Sequence, residues 1–395
     1  MPRLVTLFGA LIVAAGCTTG SSTGQATAPP AATASSLSSL APQAVAPTPT
    51  ARPAVPPTAP TKPSASAAPV SPAEVAGTVA CPSISYASHT ASGAVEYQDG
   101  SGSCSVNADD PRVSGSASLI GWSANQWPTS PAKAGAIPSE TGAFIQWGSR
   151  RIEAAGGAWV GTGRGVFVAE RGNMIVTWYK GSGAYAGLGY FELLTGPWRS
   201  MSVRGLIFPG DPPAWPAIPG ADAKAPPPPG STPDPNAGKP ALPKAIAYGR
   251  VASATARFVY TTLELGTTKP GPENATRYDG GTFAGITIAN DPRATSAYAT
   301  QTWAIDMWGT FESGLGIQWG SDLRTAARGG WACTDTGIYA SSGDTIAAWC
   351  SGRGALAGQG YFELILSNDP FGVVGDPTTG GVDHGVVFPG APPMD

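Results

Sequence analysis

The chain has 395 residues, which is long enough for two or three domains, and its formal net charge is −3. Charged residues make up only 12% of it, about half the usual share, so it lacks the basic face that an electrostatic nucleic-acid binder needs. The 53 glycines and 40 prolines argue against long helices, whereas 12 tryptophans, 11 tyrosines and 11 phenylalanines argue against a wholly disordered chain.

The first predicted element is an export signal at residues 1–16. Arg3 precedes an apolar run, Leu4–Val13, and small residues then lead to Cys17. This pattern is typical of a secretory signal, and the run is short for a membrane span. The segment before Cys17 resembles a bacterial lipobox, with Ala14 where Leu is usual. The resemblance implies cleavage before Cys17, lipidation of its thiol and attachment to the bacterial membrane. An ordinary signal peptide cut near Cys17 is the alternative.

Two segments are predicted to carry no fold. Residues 17–75 are rich in Ala, Pro, Ser and Thr and contain no aromatic residue, so they cannot bury a core. We interpret them as a disordered tether that holds the folded part away from the membrane. Residues 214–243 include the run Pro226–Pro229 and are interpreted as a stiff linker.

The rest of the chain contains one domain twice, at 76–213 and 244–395. The pattern of Asp110–Trp127 recurs in Asp291–Trp308, and Ile145–Ser149 recurs as Ile317–Ser321. Within each copy, apolar bursts of four to eight residues alternate with Gly, Asn, Asp and Ser clusters, and no 3.6-residue period is sustained. The expected fold is therefore all-β, with two tandem antiparallel β-barrel-like domains, and β-sandwiches are the alternative.

One glycine-rich turn carries a family resemblance. Gly181–Gly187 and its repeat Gly352–Gly358 share the pattern Gly-x-Gly-x-(Tyr/Leu)-Ala-Gly between two predicted strands. This pattern resembles the turn of bacterial allene-oxide-cyclase-like and dirigent-like proteins. The resemblance implies an antiparallel eight-stranded barrel with a central cavity, and it carries over no catalytic residue.

Four cysteines remain besides the lipobox cysteine. An exported chain favours oxidation, so we expect one disulfide in each domain, Cys81 with Cys104 and Cys333 with Cys350, while a cross-domain pairing stays open. A zinc site is a poor interpretation, because no Cys-x-x-Cys motif occurs and there are two histidines. No metal or other cofactor is predicted.

Residues shared by both copies are the candidates for a functional site. Glu192 and Glu363 lie on an otherwise apolar strand. If they point inward they are desolvated carboxylates suited to ligand or acid–base chemistry, and if they point outward they are ordinary surface. Aromatic platforms and neighbouring amides suggest ligand contacts, although tryptophans also fill the cores of Gly-rich β domains. The residues concerned are Gln146, Trp147, Trp178, Gln318, Trp319 and Trp349.

The sequence favours a non-enzymatic function. No Gly-x-Ser-x-Gly motif and no Ser/His/Asp set occurs in both copies. The leading hypothesis is a lipid-anchored, extracytoplasmic surface protein that binds a small apolar molecule, a saccharide or an envelope protein. One alternative is an exported isomerase, cyclase or hydrolase with Glu192 and Glu363 in a barrel cavity. A structural envelope component without a ligand is the other.

Overall fold

A computed structural model describes residues 71–91, 94–127, 143–168, 171–219, 252–326, 329–340, 343–367 and 381–393. The predicted signal at 1–16, the lipidation site Cys17 and most of the predicted tether and linker lie outside these ranges. In the described part, no helix is long or apolar enough to cross a membrane.

The first repeat is a closed antiparallel barrel, which we call barrel 1. Each strand pairs with the next along the chain, and β1 pairs with β8 to close the ring. The chain enters the fold at Ala73, three residues before the predicted boundary, because Val75 is buried in the barrel core. The strands are β1 Ala73–Ala91, β2 Ala94–Ala108, β3 Gly115–Trp127, β4 Ala143–Ala154, β5 Gly157–Val168, β6 Gly172–Gly183, β7 Leu188–Gly196 and β8 Met201–Pro209.

The second repeat, barrel 2, has the same order of strands with one break. Its strand β9 pairs with both β17 and β11, which closes a ring of eight strands. The short β10 pairs with the first residues of β11, before the part that pairs with β9. Gly266, with a φ of 75°, separates β9 from β10 where β1 runs on in barrel 1. The strands are β9 Ala252–Glu264, β10 Thr267–Pro270, β11 Thr276–Ala289, β12 Ser296–Trp308, β13 Leu315–Ala326, β14 Gly329–Ala340, β15 Gly343–Gly354, β16 Gln359–Ser367 and β17 Val382–Pro389. The predicted all-β fold with two tandem barrels is thus confirmed.

Alternation along each strand divides its side chains between the barrel interior and the outer face. In β7, Tyr190 and Leu194 belong to the interior cluster of barrel 1, whereas Phe191 and Leu193 belong to a cluster on the outer face. All four are buried. A strand that is buried on both faces is apolar almost throughout, which explains why these segments show no simple polar alternation.

The repeated Asp-Pro-Arg segment forms a turn held by an ion pair. Arg112 donates to Asp110 at 2.6 Å, and Arg293 donates to Asp291 at 2.7 Å. The guanidinium of Arg112 lowers the pKa of the Asp110 carboxyl through this hydrogen bond. A buried indole also stabilises each turn. Trp159 donates a hydrogen bond to the backbone oxygen of Arg112 at 2.7 Å, and the equivalent Trp331 donates to that of Arg293 at 2.7 Å.

Each barrel contains one disulfide, as expected from the sequence. Cys81 is bonded to Cys104, and Cys333 is bonded to Cys350 on the adjacent antiparallel strand. In barrel 1 the positions that correspond to the second pair are Gly161 and Tyr179, which also face each other. Two disulfides are compatible with an extracytoplasmic protein.

The outer faces of the two barrels meet in one apolar cluster, which we call the interbarrel face. Its buried members in barrel 1 are Ile145, Val166, Val168, Met174, Val176, Trp178, Phe191, Leu193, Leu206 and Phe208. Its buried members in barrel 2 are Ile317, Ile338, Ala347, Trp349, Phe362, Leu364, Val386 and Phe388. Burial of this many large apolar side chains outside either barrel core is the main source of attraction between the two barrels.

Candidate functional site

The interior of barrel 1 places Glu192 in a buried polar network. Glu192 points inward and has no exposed surface. Its Oε2 accepts hydrogen bonds from the Nη1 of Arg150 and from the hydroxyl of Tyr179, the latter at 2.8 Å. Arg150 also donates to the Tyr179 hydroxyl at 3.0 Å. Burial raises the pKa of Tyr179 well above its ordinary value, so its hydroxyl stays a proton donor.

Gln146 belongs to a second interior network at the other side of barrel 1. Its Oε1 accepts from the indole of Trp122 at 3.1 Å, and its Nε2 donates to Asn173 at 2.9 Å. Asn173 in turn donates to the backbone oxygen of Gly196 at 2.9 Å. A glutamine with this full set of partners fixes three strands relative to one another, which is a structural role.

Barrel 2 uses the equivalent interior positions differently. Asp322 stands where barrel 1 has Arg150, and the arginine lies two residues further along the same face of the strand, at Arg324. Arg324 donates to both oxygens of Asp322, at 3.0 and 2.8 Å, and its Nη1 lies 2.5 Å from Oε2 of Glu363. Glu363 is fully buried, like Glu192, and accepts from Tyr361 at 3.3 Å.

Two further carboxyls make the interior of barrel 2 acidic. Asp335 and Asp383 are 3% and 0% exposed, and their equivalents in barrel 1 are Gly163 and Val203. Burial, with added repulsion from Asp322, raises the pKa of Asp335 well above its ordinary range. Burial and the neighbouring Glu363 do the same for Asp383. Both side chains therefore hold their protons to a higher pH than an exposed aspartic acid does.

The remaining predicted contact residues lie apart from these carboxylates. Trp178 and Trp349 are buried in the interbarrel face, and Trp147 and Trp319 pack against it half-buried. Gln318 points into barrel 2 as Gln146 does into barrel 1, but its Nε2 is buried without a hydrogen-bond partner in the described part of the chain. The structure thus separates the six residues into two interior amides and four tryptophans on the outer face.

Trp319 lines a cleft of about 560 Å³ where the end of barrel 1 meets barrel 2. The guanidinium of Arg277 lies over the Trp319 ring, 5.2 Å from its centre. The same guanidinium donates to both oxygens of Asp306 at 2.6 Å. Lining residues are Gly210, Asp211, Pro213 and Ala214 after β8, and Pro270, Gly271, Pro272, Arg277, Asp306, Ile317 and Trp319 from barrel 2.

The wall of this cleft on the barrel 1 side is a short stretch of chain held at two points. Asp211 pairs with Lys180 at 2.8 Å. Trp215 packs on the interbarrel face, and the guanidinium of Arg164 lies 5.1 Å from the centre of its ring. The predicted linker therefore begins with residues that are packed against the barrels.

Sequence reasoning identified Trp319 but missed its polar partners. It selected residues present in both copies, and the positions of Arg277 and Asp306 are occupied by Glu96 and Asn125 in the first copy. Arg277 and Asp306 come together only because β11 and β12 pair in register. Opposite charges at facing positions of neighbouring predicted strands are the sequence signal that could have identified this pair.

Within the described ranges, no group of three or more His, Cys, Asp or Glu residues has an arrangement that could hold a metal ion. Comparisons with protein-family models, curated proteins and solved structures found no match to this chain.

Proposed function

We propose that this chain is an exported binding protein whose ligand occupies the cleft beside Trp319. The observation that carries the proposal is the cleft itself, which combines a half-buried aromatic ring with the exposed part of the Arg277 guanidinium. Its volume of about 560 Å³ falls within the range of small-molecule sites, and sites of this kind concentrate where two domains meet.

The chemistry of the cleft favours a saccharide ligand. An indole face packs against the apolar C–H face of a pyranose ring, while a guanidinium donates hydrogen bonds to hydroxyl oxygens and a carboxylate accepts them. Arg277 is one-third exposed and is held from beneath by the buried Asp306, so its guanidinium lies fixed next to the ring, while Asp211 supplies the exposed carboxylate of the cleft. Pro270 and Pro272 stiffen the part of the lining that lies beside Asp306, which reduces the ordering cost of binding.

The barrel interiors do not favour the enzymatic alternative. Glu192 and Glu363 are fully buried, and each is engaged by a guanidinium and a tyrosine hydroxyl. A carboxylate in such a network has no access to a substrate. The enzyme and the structural envelope component stay as predictions without a supporting observation.

Isothermal titration with chitotriose, cellotriose and maltotriose tests the binding site. We expect one of these probes to bind, and we expect Trp319→Ala to weaken binding by about tenfold or more, which corresponds to about 1.4 kcal/mol. Trp147→Ala is the matched control, since Trp147 is the repeat equivalent of Trp319 and does not line the cleft. Equal losses in the two variants, or no binding by any of the three probes, would overturn the proposal.

The membrane anchor is the second part of the proposal, and it rests on the lipobox resemblance at Cys17. Lipidation adds about 0.8 kcal/mol of membrane affinity per buried methylene, so two acyl chains give stable attachment. Cys17→Ser should release the protein from the membrane fraction and abolish incorporation of labelled palmitate. Globomycin should block maturation of the unaltered chain. Normal maturation of the Cys17→Ser variant would show that the segment is an ordinary signal peptide.

A further inference from the structure

The interbarrel face is built from the same positions in both barrels. Each of the eight buried residues that barrel 2 contributes has its repeat equivalent among the buried residues of barrel 1. Trp349 corresponds to Trp178, and Phe388 corresponds to Phe208. One surface patch thus occurs twice in the chain and packs against itself.

The contacts across this face are reciprocal. Trp127 of barrel 1 stacks on Phe388 of barrel 2, with ring centres 5.9 Å apart. Trp308, the equivalent of Trp127, contacts Phe208, the equivalent of Phe388, at 6.2 Å. A contact between two positions that is repeated with the partners exchanged is the signature of a two-fold, self-complementary interface.

A third pair of positions lies at the polar edge of the face. Arg204 of barrel 1 donates to the backbone oxygen of Gly343 in barrel 2 at 2.7 Å. The equivalents of these residues are His384 and Gly172. His384 is buried, which lowers its pKa. The positive charge of Arg171, the residue before Gly172, lowers this pKa further, so Arg171 lies near His384. A polar contact in one direction thus accompanies the reciprocal aromatic contacts.

We propose that the interbarrel face is a self-association surface that binds the same face of a second copy of this chain when its own partner barrel is displaced. Three pairings are available, barrel 1 with barrel 2, barrel 1 with barrel 1 and barrel 2 with barrel 2. Each of them places a tryptophan against a phenylalanine at two symmetric points. An apolar face that loses its partner exposes a large patch, and such a patch drives association.

Covalent linkage explains why the internal pairing predominates in the unaltered chain. Residues 210–251 join the two barrels, and this linkage makes the internal pairing intramolecular, so the second face has a higher effective concentration than a separate chain. A second chain at micromolar concentration cannot compete with it. Displacement of one barrel removes this advantage and leaves the other barrel free to pair between chains.

The test uses the full chain with one side of the face altered at a time. In the first variant, Trp127→Glu and Phe208→Glu remove both aromatic contacts from barrel 1. In the second, Trp308→Glu and Phe388→Glu remove them from barrel 2. The third variant carries all four changes and is the matched control. Circular dichroism and intact disulfides establish that each variant is folded, and light scattering after gel filtration gives its mass.

We expect the first two variants to be dimers at about 100 μM, because each retains one unaltered face. We expect the variant with all four changes to be a monomer. The proposal is wrong if the first and second variants are both folded monomers. It is also wrong if the variant with all four changes dimerises as they do. Should the double changes prevent folding, the single changes Trp127→Glu and Trp308→Glu replace them, since these tryptophans are only half-buried. Their outcome is judged in the same way.

Discussion

Replacement of Glu192 by Gln should destabilise the protein far more than the same change at Glu363. In barrel 1, Glu192 is the carboxylate that pairs with Arg150, and both side chains are at most 1% exposed. Gln keeps the shape of the side chain but removes the charge, so the guanidinium is left buried without its counter-charge. Breaking a buried pair in this way costs about 3–5 kcal/mol.

The equivalent change in barrel 2 is the matched control. Glu363→Gln leaves Arg324 with both of its hydrogen bonds to Asp322, at 3.0 and 2.8 Å. It also removes one negative charge from an interior that holds Asp335 and Asp383. The expected loss is about 1 kcal/mol or less, the size of a single hydrogen bond.

Urea unfolding followed by tryptophan fluorescence measures both losses as shifts of the midpoint at constant slope. Addition of Arg150→Met to Glu192→Gln should recover most of the lost stability, because a buried pair replaced as a whole by apolar or neutral groups costs little. Equal losses at Glu192 and Glu363 would refute the reasoning. So would a failure of Arg150→Met to restore stability.

Three other measurements follow from the fold. Asp335 and Asp383 have raised pKa values in the folded state, so the unfolded chain releases their protons first and the free energy of unfolding should fall as pH rises from about 4. Urea midpoints between pH 4 and 8 check this, and Asp383→Asn should flatten the slope. Joint replacement of Cys333 and Cys350 by Ala opens a bridge across 17 residues and should cost about 3 kcal/mol in the same assay. In Gly205→Ala the new Cβ meets the backbone oxygen of Phe191 at 2.5 Å, which should cost about 1–3 kcal/mol of stability. A wild-type midpoint for that variant would contradict the packing.

The fold was predictable because its signals are local. Apolar bursts and turn residues are each visible within a few neighbouring residues, and the repeat shows that the same fold occurs twice. The sequence does not decide whether Glu192 and Glu363 point inward, because apolar residues lie on both faces of β7 around Glu192, namely Tyr190, Phe191, Leu193 and Leu194. Such a strand gives no sign of which face is the barrel interior.

The interbarrel face and the cleft were not predictable from these signals. From the sequence alone the tryptophans are candidates for the core or for ligand platforms, whereas Trp178 and Trp349 pack between the two barrels. That role depends on how two complete barrels meet, which no short pattern encodes. The pairing of Arg277 with Asp306 depends on residues 29 positions apart and has no counterpart in the first copy.

The closure of barrel 1 by β1 and β8 has a mechanical consequence. Ala73 pairs with Ile207, so the chain enters and leaves the barrel at the same end of two antiparallel strands. Tension applied on either side of the barrel therefore loads their hydrogen bonds one pair at a time, and it peels the strands apart at low force instead of shearing all pairs together. The peeling reaches Val79, the last residue of β1 that pairs with β8, and then meets the disulfide at Cys81. Under load this covalent bond would hold β1 to β2 and stop the peeling of β1 at Cys81.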